Sequence, residues 1–277
     1  MMHITVLAED TAPYRGHLGE HGFSLLLEGA EETVLFDAVQ GLAILHNARV
    51  LDVEWRKIKK VAISHGHYDH TAGLPQVLSQ TKVKVFLHPQ ATIPRFKRTK
   101  QGEIKEIGPT WRVQDLTKMG VFFHYQAGPV EIGPGMLLTG PIPRRHPNEV
   151  PTEDFLIREG EGFNPDPFRD DQALVITIEA GLVVILGCSH AGLINTLDYA
   201  RELTGQDRFQ AVIGGTHLLG ASPERIAWTI EALRKMNIPQ LALSHCTGFV
   251  ASARLYEAFG SGVHPLNVGD TLEVKVG

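Results

Sequence analysis

Short apolar runs recur along the chain with turn residues between them, and the company they keep changes partway along. In the first half the runs are of strand length, at 4–8, 23–27, 33–36, 61–63, 83–87, 121–123 and 136–138. They resume at 173–178, 182–186, 209–213, 241–243 and 272–276. Apolar runs of this length bounded by turn signals predict strands. Helical patterns sit between the later ones. Leu193, Ile194, Leu197, Ala200 and Leu203 form one helical stripe. Ser222 and Pro223 supply an N-cap and first-turn residue for a helix over 223–236, and a third helix is predicted over 249–259. Strands followed by strand–helix alternation predict an α/β layered protein, with helices on the outer faces of packed sheets. The stretch 92–169 differs. It carries the basic run 95–100, many of the prolines and no clean helix, and reads as an insertion or cap over a site within one domain spanning 1–277. No repeat period is present, which argues against a solenoid or propeller.

Composition narrows the function classes. At 277 residues, with 43% hydrophobic and 21% charged positions, the chain can bury a full core, and disorder is excluded. Its net charge of −5 removes the global positive field that sequence-independent nucleic-acid binding uses. Cys188 and Cys246 cannot form a disulfide framework, the N-terminus lacks a basic-then-apolar leader, and no apolar run is long enough to span a membrane. A cytoplasmic protein without nucleic-acid or membrane partners is expected.

The fourteen histidines change the picture. Five apolar runs lead directly into His65, His88, His190, His217 and His245. If those strands are neighbours running the same way, the histidines gather on one rim, where open α/β sheets place their ligand crevice. The densest segment is SerHisGlyHisTyrAspHisThrAlaGly at 64–73. His65 and His67, alternating on an extended loop, suit one cation, and Asp69 with His70 suits a second. Gly66 is expected to let the backbone turn between the histidines, and Thr71 to cap a helix starting near Ala72. Zinc accepts this donor set, as do iron(II) and manganese, so two divalent ions are expected with zinc the first choice.

This segment resembles the signature of the metallo-β-lactamase superfamily, and ThrValLeuPheAspAla at 33–38 resembles the strand and aspartate turn that precede it there. AspAspGlnAlaLeu at 170–174, GlyCysSerHisAlaGlyLeuIleAsn at 187–195, GlyGlyThrHisLeu at 214–218 and LeuSerHisCysThrGly at 243–248 resemble the subgroup that includes archaeal dihydropterin-ribofuranosylaminobenzene phosphate synthases. The resemblance implies a four-layer αββα sandwich with a metal site between the sheets. It implies that His65 and His67 hold the first metal, Asp69 and His70 the second, and that His245 completes the second. The superfamily's usual third histidine of the first metal is absent before 173, and His190 takes that role in our reading. The bridging aspartate is also absent, because GlyCys stands at 187–188, which makes Cys188 a candidate thiolate ligand. His217 is expected to face substrate or donate a proton. Asp170 and Asp171 are candidates to orient a ligand histidine. His88 and His146 are weaker candidates, and His3, His17, His21, His46, His124 and His264 are expected on the surface or in packing roles.

Three functions compete. A hydrolase would use metal-activated water, oriented by Asp69, on an ester or phosphoester. A transferase would form a C–N bond between a pterin-methyl diphosphate and an aromatic substrate, expelling diphosphate. A metal or redox module would bind without turnover. For a small phosphorylated substrate, Arg95, Lys97, Arg98, Lys100, Arg144 and Arg145 are the candidate cations.

Overall fold

Every residue of the strand Gly181–Leu186 is buried, and its side chains divide between two cores. Val183 and Ile185 meet Ile4, Leu25 and Phe36 from the first half of the chain. Leu182, Val184 and Leu186 meet Leu193, Leu197 and Leu233, which come from helices. A strand whose two faces both find apolar partners lies inside a layered stack. That is the arrangement in this computed structural model, which describes residues 1–150 and 152–275.

One seven-stranded sheet has the order Thr271–Val274, Met2–Ala8, Ser24–Glu28, Thr33–Phe36, Lys60–Ala62, Lys84–Leu87 and Phe122–Tyr125. The other runs Val263–Pro265, Gln240–Leu243, Phe209–Gly214, Gly181–Leu186, Leu174–Ile178, Met136–Leu138 and Val130–Gly133. Ile44 and Val77 of the helices Ile44–Val50 and Leu74–Gln80 pack on the outer face of the first sheet with Leu35, Val61 and Val85. The helices Leu193–Thr204, Pro223–Met236 and Phe249–Phe259 cover the second. The layers are therefore αββα, as expected.

Strand and helix positions follow the apolar pattern, with ends shifted by a residue or two. Ser222 caps its helix through its side-chain oxygen, which accepts the Arg225 N–H, and Pro223 is the first helical residue. The last strand ends at Val274, and the expected residue Val276 lies outside the described residues. Thr71 does not cap a helix. It closes the short helix Tyr68–Thr71, where its hydroxyl donates to the His67 carbonyl at 2.8 Å. Gly66 has no positive φ, so it is not needed for a turn. A Cβ there would come within 2.4 Å of the Ala91 carbonyl oxygen, and close approach is what requires glycine.

Within the stretch 92–169, four segments pair into a small antiparallel sheet in the order Gly162–Pro165, Phe155–Glu159, Arg95–Arg98 and Ile104–Glu106. The rest supplies edge strands to both large sheets and the helix Val113–Lys118. Arg95 is 1% exposed and forms ion pairs with Asp166 and Asp170. Asp170 also accepts the Gly66 N–H at 2.7 Å, so the small sheet is tied to the loop between His65 and His67. Arg95 is thus committed to structure and is not available to substrate. Among the described residues no helix is long and apolar enough to cross a membrane.

Removing Arg95 would leave two buried carboxylates facing one another without a cation. Arg95→Ala should therefore lower unfolding free energy by about 3–5 kcal/mol in urea titrations of metal-free protein. A loss below about 1 kcal/mol would show that the ion pairs do not tie the small sheet down.

Candidate metal centre

Lys60–Ala62 and Lys84–Leu87 are parallel neighbours in one sheet, and Gly181–Leu186, Phe209–Gly214 and Gln240–Leu243 are parallel neighbours in the other. Their carboxyl ends share a rim, and His65, His190, His217 and His245 gather there with the residues of the 64–73 loop. His88 stays out of the cluster. Its Nδ1 accepts the Gln90 N–H at 3.1 Å and caps the single turn Pro89–Thr92. The rim is built from strained backbone. Asp37, Ser189, His217 and His245 have φ between +49° and +60°, a region that non-glycine residues enter rarely and that concentrates at functional sites.

Two groups of donors form. In the first, His65 Nε2 lies 3.0 Å from His67 Nδ1 and 3.3 Å from His190 Nε2. Burial pushes the pKa of all three rings well below the ordinary histidine value, so they are neutral. A neutral imidazole has one N–H and one lone pair. His65 Nδ1 is already engaged with Ser64 Oγ at 2.9 Å, and His67 Nε2 is buried without a partner. Three neutral ring nitrogens facing one another fit a cation. Aromatic walls enclose them. Phe168, itself at φ +49°, stacks on His190 at 4.1 Å, and Phe155 stacks on His67 at 5.4 Å.

In the second group, Asp69 Oδ2 lies 3.3 Å from His245 Nε2 and 3.8 Å from His70 Nε2. Burial opposes ionisation of Asp69, but His70 and His245 outweigh it and hold the carboxyl well below its usual range. Cys188 Sγ is 3.2 Å from His70 Nε2, and burial pushes its thiol up. His65, His67 and His190 could hold one ion and Asp69, His70 and His245 another, with Cys188 beside the second. The donor set fits divalent metal: three neutral imidazoles turned toward one another in the first group, and in the second a low-pKa carboxylate beside His245, whose pKa Asp10 and Asp69 raise against burial.

The groups that aim these rings are partly different from those expected. Asp170 and Asp171 touch no imidazole. Asp170 holds the Gly66 N–H and Asp171 holds the Ala191 N–H at 2.8 Å, so both position the backbone that carries the histidines. The rings are oriented by two other carboxylates. Asp37 Oδ2 meets His70 Nδ1 at 2.7 Å, and Asp10 Oδ1 meets His245 Nδ1 at 3.0 Å. Glu9 accepts the His245 N–H at 2.8 Å. His21, expected on the surface or in packing, stands 3.4 Å from Asp69 Oδ2. Glu9 and Asp10 follow directly on the strand Met2–Ala8, so the rim argument applied to acids as well as histidines would have found them. The two arginines part company. The Arg144 guanidinium is 5.8 Å from the Phe168 ring at the site, whereas Arg145 pairs with Glu202 at 2.6 Å on the helix Leu193–Thr204. His217 is half-buried, 4.2 Å from the His190 ring, with no partner on Nδ1 among the described residues.

A layered αββα fold with a histidine and aspartate rim at the strand ends defines a class, and residues 18–188 match the metallo-β-lactamase superfamily. The chain belongs to that superfamily, whose members usually bind divalent metals, and it is an enzyme. It is 31% identical to 7,8-dihydropterin-6-methyl-4-(β-D-ribofuranosyl)-aminobenzene-5'-phosphate synthase of Methanocaldococcus jannaschii, over 98% of this chain and 96% of that protein. A crystal structure described as a metal-dependent hydrolase of the β-lactamase superfamily is 33% identical over 99% of both chains, with a TM-score of 0.86. Zinc-bound PqqB from Methylobacterium extorquens shares the fold at 14% identity and TM-score 0.60, covering 98% of this chain and 100% of that one.

Asp171 gives a pH signature. Burial raises its pKa to about 7 even though it accepts backbone N–H groups, whereas an unfolded aspartate titrates near ~3.9. Its contribution to stability is then complete below pH ~4 and is lost as pH rises through about 7. Asp171→Asn removes that titration. The stability of wild type relative to Asp171→Asn should fall by on the order of a few kcal/mol between pH ~4 and ~7 and stay level above pH ~8. A difference independent of pH in denaturant melts would contradict this.

Proposed function

We propose that this enzyme is a metal-dependent group transferase of the dihydropterin synthase type. The observation that carries the reading is the match to the archaeal synthase over 98% of this chain and 96% of that protein. The amine nitrogen of an aminobenzene substrate attacks the methylene of a dihydropterin-methyl diphosphate. The C–N bond forms, the C–O bond to diphosphate breaks, and one amine proton is released.

The donors above would hold two divalent ions, His65, His67 and His190 one, Asp69, His70 and His245 the other, with Cys188 as a candidate thiolate. Zinc is the first choice, and iron or manganese suits the same set. When bound, the ions supply positive charge opposite a diphosphate leaving group. Asp37 and Asp10 keep the His70 and His245 rings turned inward. Phe155 and Phe168 exclude water from the first group of histidines. Arg144, beside Phe168, binds substrate phosphate, and Arg145 contributes less because Glu202 holds it. His217 Nδ1, beside the His190 ring and without a partner among the described residues, takes the amine proton. The small sheet that includes Arg95–Arg98 and Phe155–Glu159 acts as the cap within a single domain. Buried free Cys188 and Cys246 fit a reducing cytoplasm, and the partner is a small phosphorylated molecule, not nucleic acid or membrane.

The second reading is hydrolysis of an ester or phosphoester, with Asp69 orienting the water. It is favoured by the 33% identical structure described as a hydrolase. One assay separates the two. Metal-loaded protein given the dihydropterin-methyl diphosphate and the ribofuranosylaminobenzene phosphate should form the coupled product and diphosphate in equal amounts, read by mass spectrometry. Diphosphate released without coupling would favour hydrolysis, and no turnover of either substrate would sink the transferase reading.

Because Arg144 faces the site and Arg145 does not, their variants should differ. Arg144→Ala should raise KM about tenfold, a loss of ~1.4 kcal/mol, while Arg145→Ala stays within about twofold of wild type. Equal effects in steady-state assays would remove Arg144 from the substrate contacts.

A further inference from the structure

Two imidazoles, not one, are posed at Asp69. His245 follows the strand Gln240–Leu243, and His21 precedes the strand Ser24–Glu28 in the other sheet. Asp10 stands between them, with Oδ1 3.0 Å from His245 Nδ1 and Oδ2 3.3 Å from His21 Nδ1. A carboxylate that takes the Nδ1 proton of an imidazole leaves Nε2 as the lone-pair atom and turns it away, which is how metal-binding histidines are prepared. Asp10 does this for both rings. Both Nε2 atoms reach the same oxygen, Asp69 Oδ2, at 3.3 Å from His245 and 3.4 Å from His21. The ring centroids are 4.8 Å apart.

The loop carrying His21 is also fixed in place. Gly22 donates its N–H to Asp10 Oδ1 at 3.0 Å and has φ +132°. A Cβ on Gly22 would stand 2.1 Å from the Asp69 carbonyl oxygen, so the His21 and Asp69 loops are in direct contact. Gln40 Nε2 donates to the His21 carbonyl at 2.6 Å. On the other side of the same pocket it is Cys188 that stands 3.2 Å from His70 Nε2. The second donor group thus has a thiol in place of a carboxylate on one side and an extra prepared imidazole on the other.

We propose that His21 is a further ligand, through Nε2, of the metal held by Asp69, His70 and His245, and that Asp10 positions both His21 and His245 for it. The inference rests on the reading that a second metal is held there. It gives that ion three imidazoles and one carboxylate from this chain, without a bridging aspartate.

The test is a titration of metal-free wild type, His21→Ala, His21→Gln and Asp10→Asn with zinc(II) against a chromophoric chelator. Cobalt(II) absorption reports the ligand set, and circular dichroism reports the fold. His21→Gln keeps a side chain able to donate to Asp10. Wild type should take two equivalents. Both His21 variants should bind the second equivalent at least about tenfold more weakly, with the first unchanged and the cobalt band of the second altered. Asp10→Asn should weaken the second equivalent as well, because it releases both rings. Folded His21→Ala or His21→Gln that binds both equivalents as wild type does would overturn the assignment. A wild type that takes no second equivalent would overturn the two-metal reading itself, and the role of His21 with it.

Discussion

At the rim a single ring nitrogen, with either one proton or one lone pair to offer, faces two others, and the site depends on that mismatch. His65 Nε2 faces His67 Nδ1 and His190 Nε2 inside hydrogen-bonding distance, in surroundings that burial keeps neutral. Rings so placed cannot all be satisfied by one another. Left alone, a buried ring nitrogen without a proper partner is destabilising. A divalent cation turns the same arrangement into a set of ligand bonds, so binding energy and folding energy are coupled here.

Holding the rings in that state falls to buried acids and to the sheet ends. Asp37 is fully buried and joins the two ends of the 64–70 loop, accepting the Ser64 N–H at 2.7 Å and its hydroxyl at 2.7 Å and facing His70 Nδ1. Asp170, fixed by Arg95, grips the backbone between His65 and His67, and Asp171 grips the backbone after His190. The two sheets are stacked face to face and their strand ends share this rim, so each contributes ligands to a centre neither could build alone. Left-handed backbone at Asp37, Ser189, His217 and His245 shows that the surrounding framework, not local preference, sets these residues.

Much of this was legible in the sequence where a repeated pattern existed. Strands that run into histidine and the 64–73 segment marked the rim, and the stripe from Leu193 to Leu203 and the Ser222–Pro223 start marked two covering helices. The resemblance carried by 64–73 and the later segments supplied the layer order. What lay outside any pattern was missed. Ile104–Glu106 is exposed throughout and Arg95–Arg98 is exposed over its last half, so no apolar period reveals the small sheet. Arg95 reads as a surface cation until Asp166 and Asp170, some seventy residues on, are folded against it. Asp10, just past the end of a strand, comes within the rim argument only when acids are included, and His21 is a lone loop histidine whose contact with Asp69 is purely tertiary.

Whether two donor groups at one rim act as a metal centre is a question of occupancy. Crystals of protein expressed with metal supplementation, with data collected on both sides of the absorption edges of zinc, iron and manganese, address it directly. The account predicts anomalous peaks in two places, one bounded by His65, His67 and His190 and one by Asp69, His70 and His245. Crystals from folded, metal-supplemented protein that show no anomalous peak at either place, with the ring nitrogens still facing one another, would contradict it.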